Sequence, residues 1–285
     1  MTGNVSIRVD GREIVDETLS QLALVNYGHF TAMQIRGGRV RGLSFHLDRL
    51  RSAHTELYGT VVDPAIVLGR VRDAAVDAPD SYLRVTLFES EPGEIRVMTA
   101  VRPPVAPSSA PVGLLPVIYQ RPVAHIKHVG SFGQLYFGRL ATRQGFDDAL
   151  LTTADGEISE TATANIAFID GDGTLVWPSA PSLYGVTWQI LDVALANAGI
   201  KTRRQPVTLN DISGFSGAFI TSSIGVGAVS KIGTVVFNDE APVHAIGKIY
   251  ESSPWDSIYQ PDGPPCRTQD FTSGKGSLNG RRSVR

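Results

Sequence analysis

Lys127 stands between Ile126 and His128, at the end of an extended segment and just ahead of a helix. A lysine carried into an interior with its amine desolvated has a lowered pKa and becomes nucleophilic toward an aldehyde. A lysine left at the surface is only a charge, and the flanking residues by themselves allow both readings. Further on comes Asp155-Gly156-Glu157-Ile158-Ser159-Glu160, a turn leading into a polar segment and then an apolar strand. The turn accounts for Asp155, and Glu157 reads as exposed. Glu160 lies close to the apolar strand, where a carboxylate needs a cationic or protonated partner if it is buried. Two later segments offer anion sites. Leu183-Tyr184-Gly185-Val186-Thr187 opens an apolar helix, whose start presents unpaired N–H groups and a positive dipole end. Thr221-Ser222-Ser223-Ile224-Gly225-Val226-Gly227 reads as a loop of hydroxyls and bare backbone, and the two together suit one phosphate.

These residues need a mixed frame to bring them together. Asp10-Gly11 between short β-prone runs predicts a hairpin at the start. Helical spacing runs over 44–58, with Ser44 as N-cap and Gly59 as the stop, and again over 64–76. Strands are expected at 82–89 and 94–100. Pro103, Pro104, Pro107 and Pro111 then interrupt any helix or central strand and mark a linker. Beyond it come a strand at 112–119, a helix at 131–144, strands at 148–152, 166–169 and 175–177, a helix at 186–198 and a strand at 218–221. The expected organisation is a small domain over 1–105, a linker over 106–112, a large domain over 113–255 and a largely disordered tail over 256–285, rich in Pro, Gly, Ser and Arg.

Taken in order, the motifs resemble the class-IV aminotransferase family. Lys127, Gly145-Phe146-Asp147-Asp148-Ala149-Leu150, Gly156-Glu157-Ile158-Ser159-Glu160 with Asn165 and Phe168, and Leu183-Tyr184-Gly185-Val186-Thr187 follow that family's signature. Upstream, Tyr27-Gly28, Phe45-His46-Leu47-Asp48-Arg49-Leu50 and Tyr82-Leu83-Arg84 are similar to its small-domain motifs. The resemblance covers roughly residues 5 to 240. It implies an α+β protein of fold type IV: a small N-terminal α/β domain, a larger β-rich domain with flanking helices, and pyridoxal 5′-phosphate in the cleft between them. It makes Lys127 the Schiff-base lysine and proton carrier, sets Glu160 against the pyridine nitrogen, and gives the phosphate to Arg49, Val186, Thr187, Ser223 and Ile224. Tyr27, Arg36, Tyr82 and Arg84 become candidates for the substrate carboxylate. The activity implied is amino transfer between an amino acid or amine and a 2-oxo acid in a homodimer. A 4-amino-4-deoxychorismate lyase-like elimination and a non-catalytic relative are the alternatives. Two departures leave the substrate open. Phe132 stands where branched-chain aminotransferases usually carry a tyrosine that hydrogen-bonds the cofactor, and Ala32-Met33-Gln34 replaces the family's usual acidic-aromatic run.

Composition argues against the other broad classes. A formal net charge of −2 gives no global attraction to nucleic acid or to an anionic membrane, and no stretch of 18 or more apolar residues occurs, so a cytoplasmic protein with a small-molecule partner is expected. Cys266 is the only cysteine, so disulfides do not hold the fold. His125 and His128 lack a third ligand nearby, no Gly-x-Gly-x-x-Gly is present, and no serine has a nucleophile-elbow setting, so no metal, dinucleotide or hydrolase site is expected.

Overall fold

The computed structural model describes residues 5–13 and 22–259. Strands β1 (Ser6–Val9) and β2 (Arg12–Glu13) form the expected hairpin, with Asp10 and Gly11 both at positive φ, as a two-residue turn of this hand requires. Strand β3 (Gly28–Ile35), strand β4 (Arg39–Val40), helix α1 (Leu43–Tyr58), helix α2 (Pro64–Val76), strand β5 (Ser81–Glu91) and strand β6 (Glu94–Arg102) complete the small domain. Its antiparallel sheet runs β2-β1-β6-β5-β3. The two helices bury Leu50, Val67 and Val71 against Ile35, Leu83, Val85 and Leu87. Each such side chain contributes about 1.5–3 kcal/mol. Helix α2 starts where Asp63 accepts from the Ala65 N–H at 2.8 Å and Pro64 occupies the first turn.

The large domain is built on strands β7 (Val112–Ile118), β8 (Asp148–Thr152), β9 (Ile158–Thr161), β10 (Asn165–Ile169), β11 (Leu175–Pro178), β12 (Thr202–Gln205), β13 (Gly217–Ser222), β14 (Gly225–Ile232) and β15 (Val235–Val236). Helices α3 (Phe132–Arg143), α4 (Val186–Asn197) and α5 (Ala241–Glu251) flank them. The sheet order is β12-β11-β10-β13-β14-β7-β8-β9, with β15 pairing β14. Two of its parallel pairs, β7 with β8 and β11 with β12, are joined through helices α3 and α4. The C-terminal ends of β7, β11 and β13 therefore lead into the Lys127 segment, the start of α4 and the Ser223-Ile224 turn. β11 and β13 run in the same direction and end at one edge of the sheet, while β7 runs against β13, so the connection from β7 to α3 is what carries Lys127.

Several expectations change. Helix α1 is capped at Gly42, in the left-handed region, rather than at Ser44. A charge from far along the chain explains this: the Asp256 carboxylate accepts from the Leu43 N–H at 2.9 Å. The segment around Glu160 is a buried strand, not a polar connection. The Ser/Gly run is a tight hairpin, in which only Ser223 and Ile224 separate β13 from β14. Strand β16 (Asp256–Ser257) pairs with β4, so the chain stays ordered past 255, while the tail over 260–285 lies outside the described residues. Among the described residues, no helix is long and apolar enough to cross a membrane.

Candidate functional site

Between β7 and α3 the chain makes a turn organised by a residue the sequence did not single out. Arg121 is buried, and its guanidinium donates to the carbonyls of Ala124 and Ile126, the latter at 2.5 Å, and to Glu160 Oε1 at 2.9 Å. Val123, at the tip of this turn, has φ 46°, a conformation a β-branched residue adopts only under constraint. The Lys127 carbonyl then accepts from the Phe30 N–H at 2.9 Å, and the Val129 N–H donates to the Gly28 carbonyl at 2.9 Å. Lys127 is thus fastened between the Arg121 clamp and the edge of β3. Gly28 admits no side chain here, since a Cβ would lie 2.6 Å from the Leu87 carbonyl oxygen. Burial, aided by the neighbouring charges of Arg49 and Arg121 and opposed by Glu160, pushes the Lys127 amine down to about 7.

Glu160 is shielded together with its partner: the side chains of Arg121 and Glu160 are 3% and 8% exposed. Its second oxygen accepts from the Leu183 N–H at 3.3 Å. Beside it, Asn165 donates to the Leu183 carbonyl at 2.6 Å. A Cβ at Gly185 would lie 2.1 Å from Asn165 Oδ1, so the entry to α4 passes this amide as bare backbone. No side chain caps α4, leaving the N–H groups of Val186 and Thr187 at its first turn without a capping partner. Arg49 comes from α1 and donates to the Tyr184 carbonyl at 3.1 Å; burial, with Arg121 nearby, lowers it to about 10. Thr187 spends its hydroxyl proton on the Ser222 carbonyl at 2.6 Å, so its free donor is the backbone N–H. Thr221 is buried, and its hydroxyl has no hydrogen-bond partner.

These groups line one cavity of about 480 Å³. Its small-domain wall is made by β3 and β5. Arg84 lies over the Phe30 ring, 3.6 Å from the centroid, and gives its Nε–H to Thr86 at 3.1 Å. Burial lowers its pKa, and among the described residues it forms no ion pair. The Tyr82 and Ser223 hydroxyls meet at 2.9 Å, bridging the two domains. Arg36 reaches the cavity with Nη1 already given to the carbonyls of Ile35 and Ser81. Gln34 holds the interdomain segment, donating to the Val105 carbonyl at 2.9 Å and accepting from its N–H at 3.4 Å. Tyr27 is not brought to this cavity: it is 49% exposed, and its hydroxyl donates to the Leu57 carbonyl. Phe132 also faces away, 80% exposed.

The arrangement fits pyridoxal 5′-phosphate on three counts. A buried amine near its neutral form answers the aldehyde, a fixed carboxylate answers the ring nitrogen, and an uncapped helix start with Arg49 and the orphaned Thr221 hydroxyl answers the phosphate. Sequence reasoning missed Arg121, and it named Thr221 only within the Ser/Gly run, without a role of its own. The need of a buried Glu160 for a cation was a pointer to Arg121, but nothing in Gln120-Arg121-Pro122 said which arginine would supply it. Among the described residues, no group of three or more His, Cys, Asp or Glu is placed to hold a metal ion.

Comparison with known proteins gives a family and a fold. Residues 28–232 match the family model for amino-transferase class IV. A probable branched-chain-amino-acid aminotransferase of Rickettsia felis is 36% identical over 80 residues, 28% of this chain and 27% of that protein. One from Rickettsia bellii is 35% identical over 101 residues, 33% of this chain and 35% of that protein. The chain thus spans about a quarter to a third of the length of the curated relatives it matches. Among solved structures, a PLP-bound hypothetical aminotransferase from Mycobacterium tuberculosis superposes with a TM-score of 0.76 at 18% identity, covering 87% of this chain and 98% of that one. The branched-chain amino acid aminotransferase from Escherichia coli gives 0.76 at 18%, covering 90% and 99%. A putative 4-amino-4-deoxychorismate lyase from Legionella pneumophila gives 0.74 at 17%, covering 82% and 93%. At these identities the likeness establishes the fold, which is that of fold type IV.

Proposed function

The chain belongs to the class IV amino-transferase family, and we propose that it is an aminotransferase that holds pyridoxal 5′-phosphate through Lys127 and passes an amino group from an amino acid or amine to a 2-oxo acid. The observation that carries this reading is the Lys127 amine, buried and pushed down to about 7 in the cavity that also contains the Arg121–Glu160 pair. When bound, the cofactor supplies an electron sink for the charge left at a substrate α-carbon. Lys127, close to half-neutral at neutral pH, takes the α-proton on Nζ and returns it. Glu160, held by Arg121 and the Leu183 N–H, keeps a proton on the ring nitrogen. Arg49, the N–H groups of Val186 and Thr187, and the Thr221 hydroxyl bind the phosphate, with Ser223 and Ile224 forming the rim.

Arg84 receives a substrate carboxylate. One of its N–H groups is committed to Thr86 and its face to Phe30, which leaves its two terminal NH₂ groups for a bidentate partner. Tyr82 and Arg36 lie on the same wall. A homodimer is supported by exposed apolar side chains on α3, Phe132, Leu135 and Tyr136, beside Ile118 at the end of β7.

Purified protein given the cofactor should develop a visible absorption band that borohydride removes while fixing the cofactor covalently on Lys127, with no label on Lys127→Ala. Adding an amino donor without an acceptor should leave the cofactor aminated. Return of the cofactor unchanged with release of a 2-oxo acid would favour the lyase-like alternative, and a colourless protein that takes up no cofactor would sink both.

A further inference from the structure

Nearly every polar side chain of the cavity wall is accounted for by a partner inside the protein. Asn165 holds Leu183, Gln34 holds Val105, Thr163 donates to Asp148, Ser131 to the Val129 carbonyl, and His128 pairs with the Pro122 carbonyl. Two stand apart: Thr221, assigned above to the phosphate, and Gln134. Gln134 lies in the first turn of α3, seven residues beyond Lys127, and is one of the residues that line the cavity. Its Oε1 is fully shielded from solvent and has no hydrogen-bond partner. The NH₂ at the other end of the amide is not shielded in this way and has no partner among the described residues either, which leaves it to answer a polar group of a ligand in the cavity.

Resting on the reading of the site as a cofactor pocket, the identity of that ligand group follows by elimination. Pyridoxal 5′-phosphate has four polar features. The phosphate is met by Arg49 and the start of α4, the ring nitrogen by Glu160 and the aldehyde by Lys127. The 3-hydroxyl, next to the aldehyde carbon on the ring, is left without a partner. Phe132, between Lys127 and Gln134 in sequence, has no polar group and points to solvent. We propose that Gln134 is a positioning residue that hydrogen-bonds the 3-hydroxyl oxygen of the cofactor. A half-turn about the Cγ–Cδ bond exchanges its C=O for its NH₂, so the amide accepts from the hydroxyl or donates to the ionised oxygen.

A donor at that oxygen lowers its basicity and makes it easier for the bound chromophore to lose its proton. Gln134→Leu removes the donor, and the isosteric Gln134→Glu replaces it with a charge that favours the protonated chromophore. In both variants the pH midpoint of the bound cofactor's visible band should rise by about half a unit or more, and cofactor retention in equilibrium dialysis should weaken about tenfold. Circular dichroism should remain that of the parent. Parent-like midpoints and retention within twofold in both variants would overturn the assignment, as would a midpoint that falls in Gln134→Glu. Failure of the parent protein to take up cofactor on Lys127 would overturn the pocket reading instead, and is separately visible.

Discussion

At the scale of single residues, the site depends on where charge is buried and what it is buried with. Lys127 has its pKa lowered from 10.5 to about 7, chiefly by desolvation, so its nucleophilic form is already the majority above neutrality. Uptake of pyridoxal 5′-phosphate by apo protein should therefore rise with pH, about tenfold per unit below 7, and level off above it. Stopped-flow absorbance would check this, and a rate that kept climbing toward pH 10 would mean an ordinary exposed lysine. Arg121 is the second case. It satisfies Glu160 and holds two carbonyls of the turn that carries Lys127. Replacing it with Met leaves a buried carboxylate alone, and breaking such a pair costs about 3–5 kcal/mol. Arg121→Met should show that loss in a denaturant melt, and should also loosen cofactor retention. A stable variant with parent-like retention would make Arg121 a bystander.

At the scale of elements, the Lys127 turn is held in a shape its own sequence resists. Val123 occupies the left-handed region, which costs a residue with a Cβ about 1–2 kcal/mol. Glycine there removes the strain at a smaller loss of chain entropy, about 0.4–1 kcal/mol. Val123→Gly should be neutral to slightly stabilising, read as an unchanged or raised melting temperature, where a glycine placed at most positions lowers it. Strain of this kind is invisible in sequence, as is the reason for it, the Arg121 clamp. Other elements were legible. Helix α2 has its Asp63-Pro64 start and apolar spacing, and the Asp10-Gly11 hairpin has its turn residues. Strand β3 escaped notice because it is buried on both faces, against α1 and against the cavity, so Gly-His-Phe-Thr-Ala-Met-Gln-Ile lacks the alternation of a half-exposed strand. Helix α5 does carry helical spacing at Val243, Ile246, Ile249 and Tyr250, but Gly247 in its middle blurs the pattern. Of the site, Lys127, Glu160, Arg49 and the start of α4 were readable from motif order. Arg121 and Gln134 were not, because their surroundings exist only once distant segments are packed, and Thr221 was legible only as one hydroxyl of the Ser/Gly run.

At the scale of the whole molecule, the two domains are not independent. After α5 the chain leaves the large domain and finishes the small one. Strand β16 pairs with β4, Asp256 caps α1 through the Leu43 N–H, and the Ile258 N–H donates to the Gly38 carbonyl at 3.2 Å. Arg72 donates to the Ile258 carbonyl at 2.5 Å, and the Ile258 side chain, 0% exposed, sits in the core formed by Ile35, Leu50 and Leu83. Trp255, on the same segment, lies over the Arg41 guanidinium at 4.1 Å, and both line the cavity. A cut at the proline-rich segment therefore removes part of the small domain's own core. Truncating a buried isoleucine costs about 2–5 kcal/mol, so Ile258→Ala should lower stability by that amount and loosen the small domain first. Hydrogen exchange is the discriminating measurement. Faster exchange is expected across β3, β5 and α1, with β10 and β13 protected as in the parent. Uniform loss of protection through both domains would mean that the segment carrying β16 and Ile258 acts on the molecule as a single unit, and a parent-like pattern would mean that the small domain folds without it.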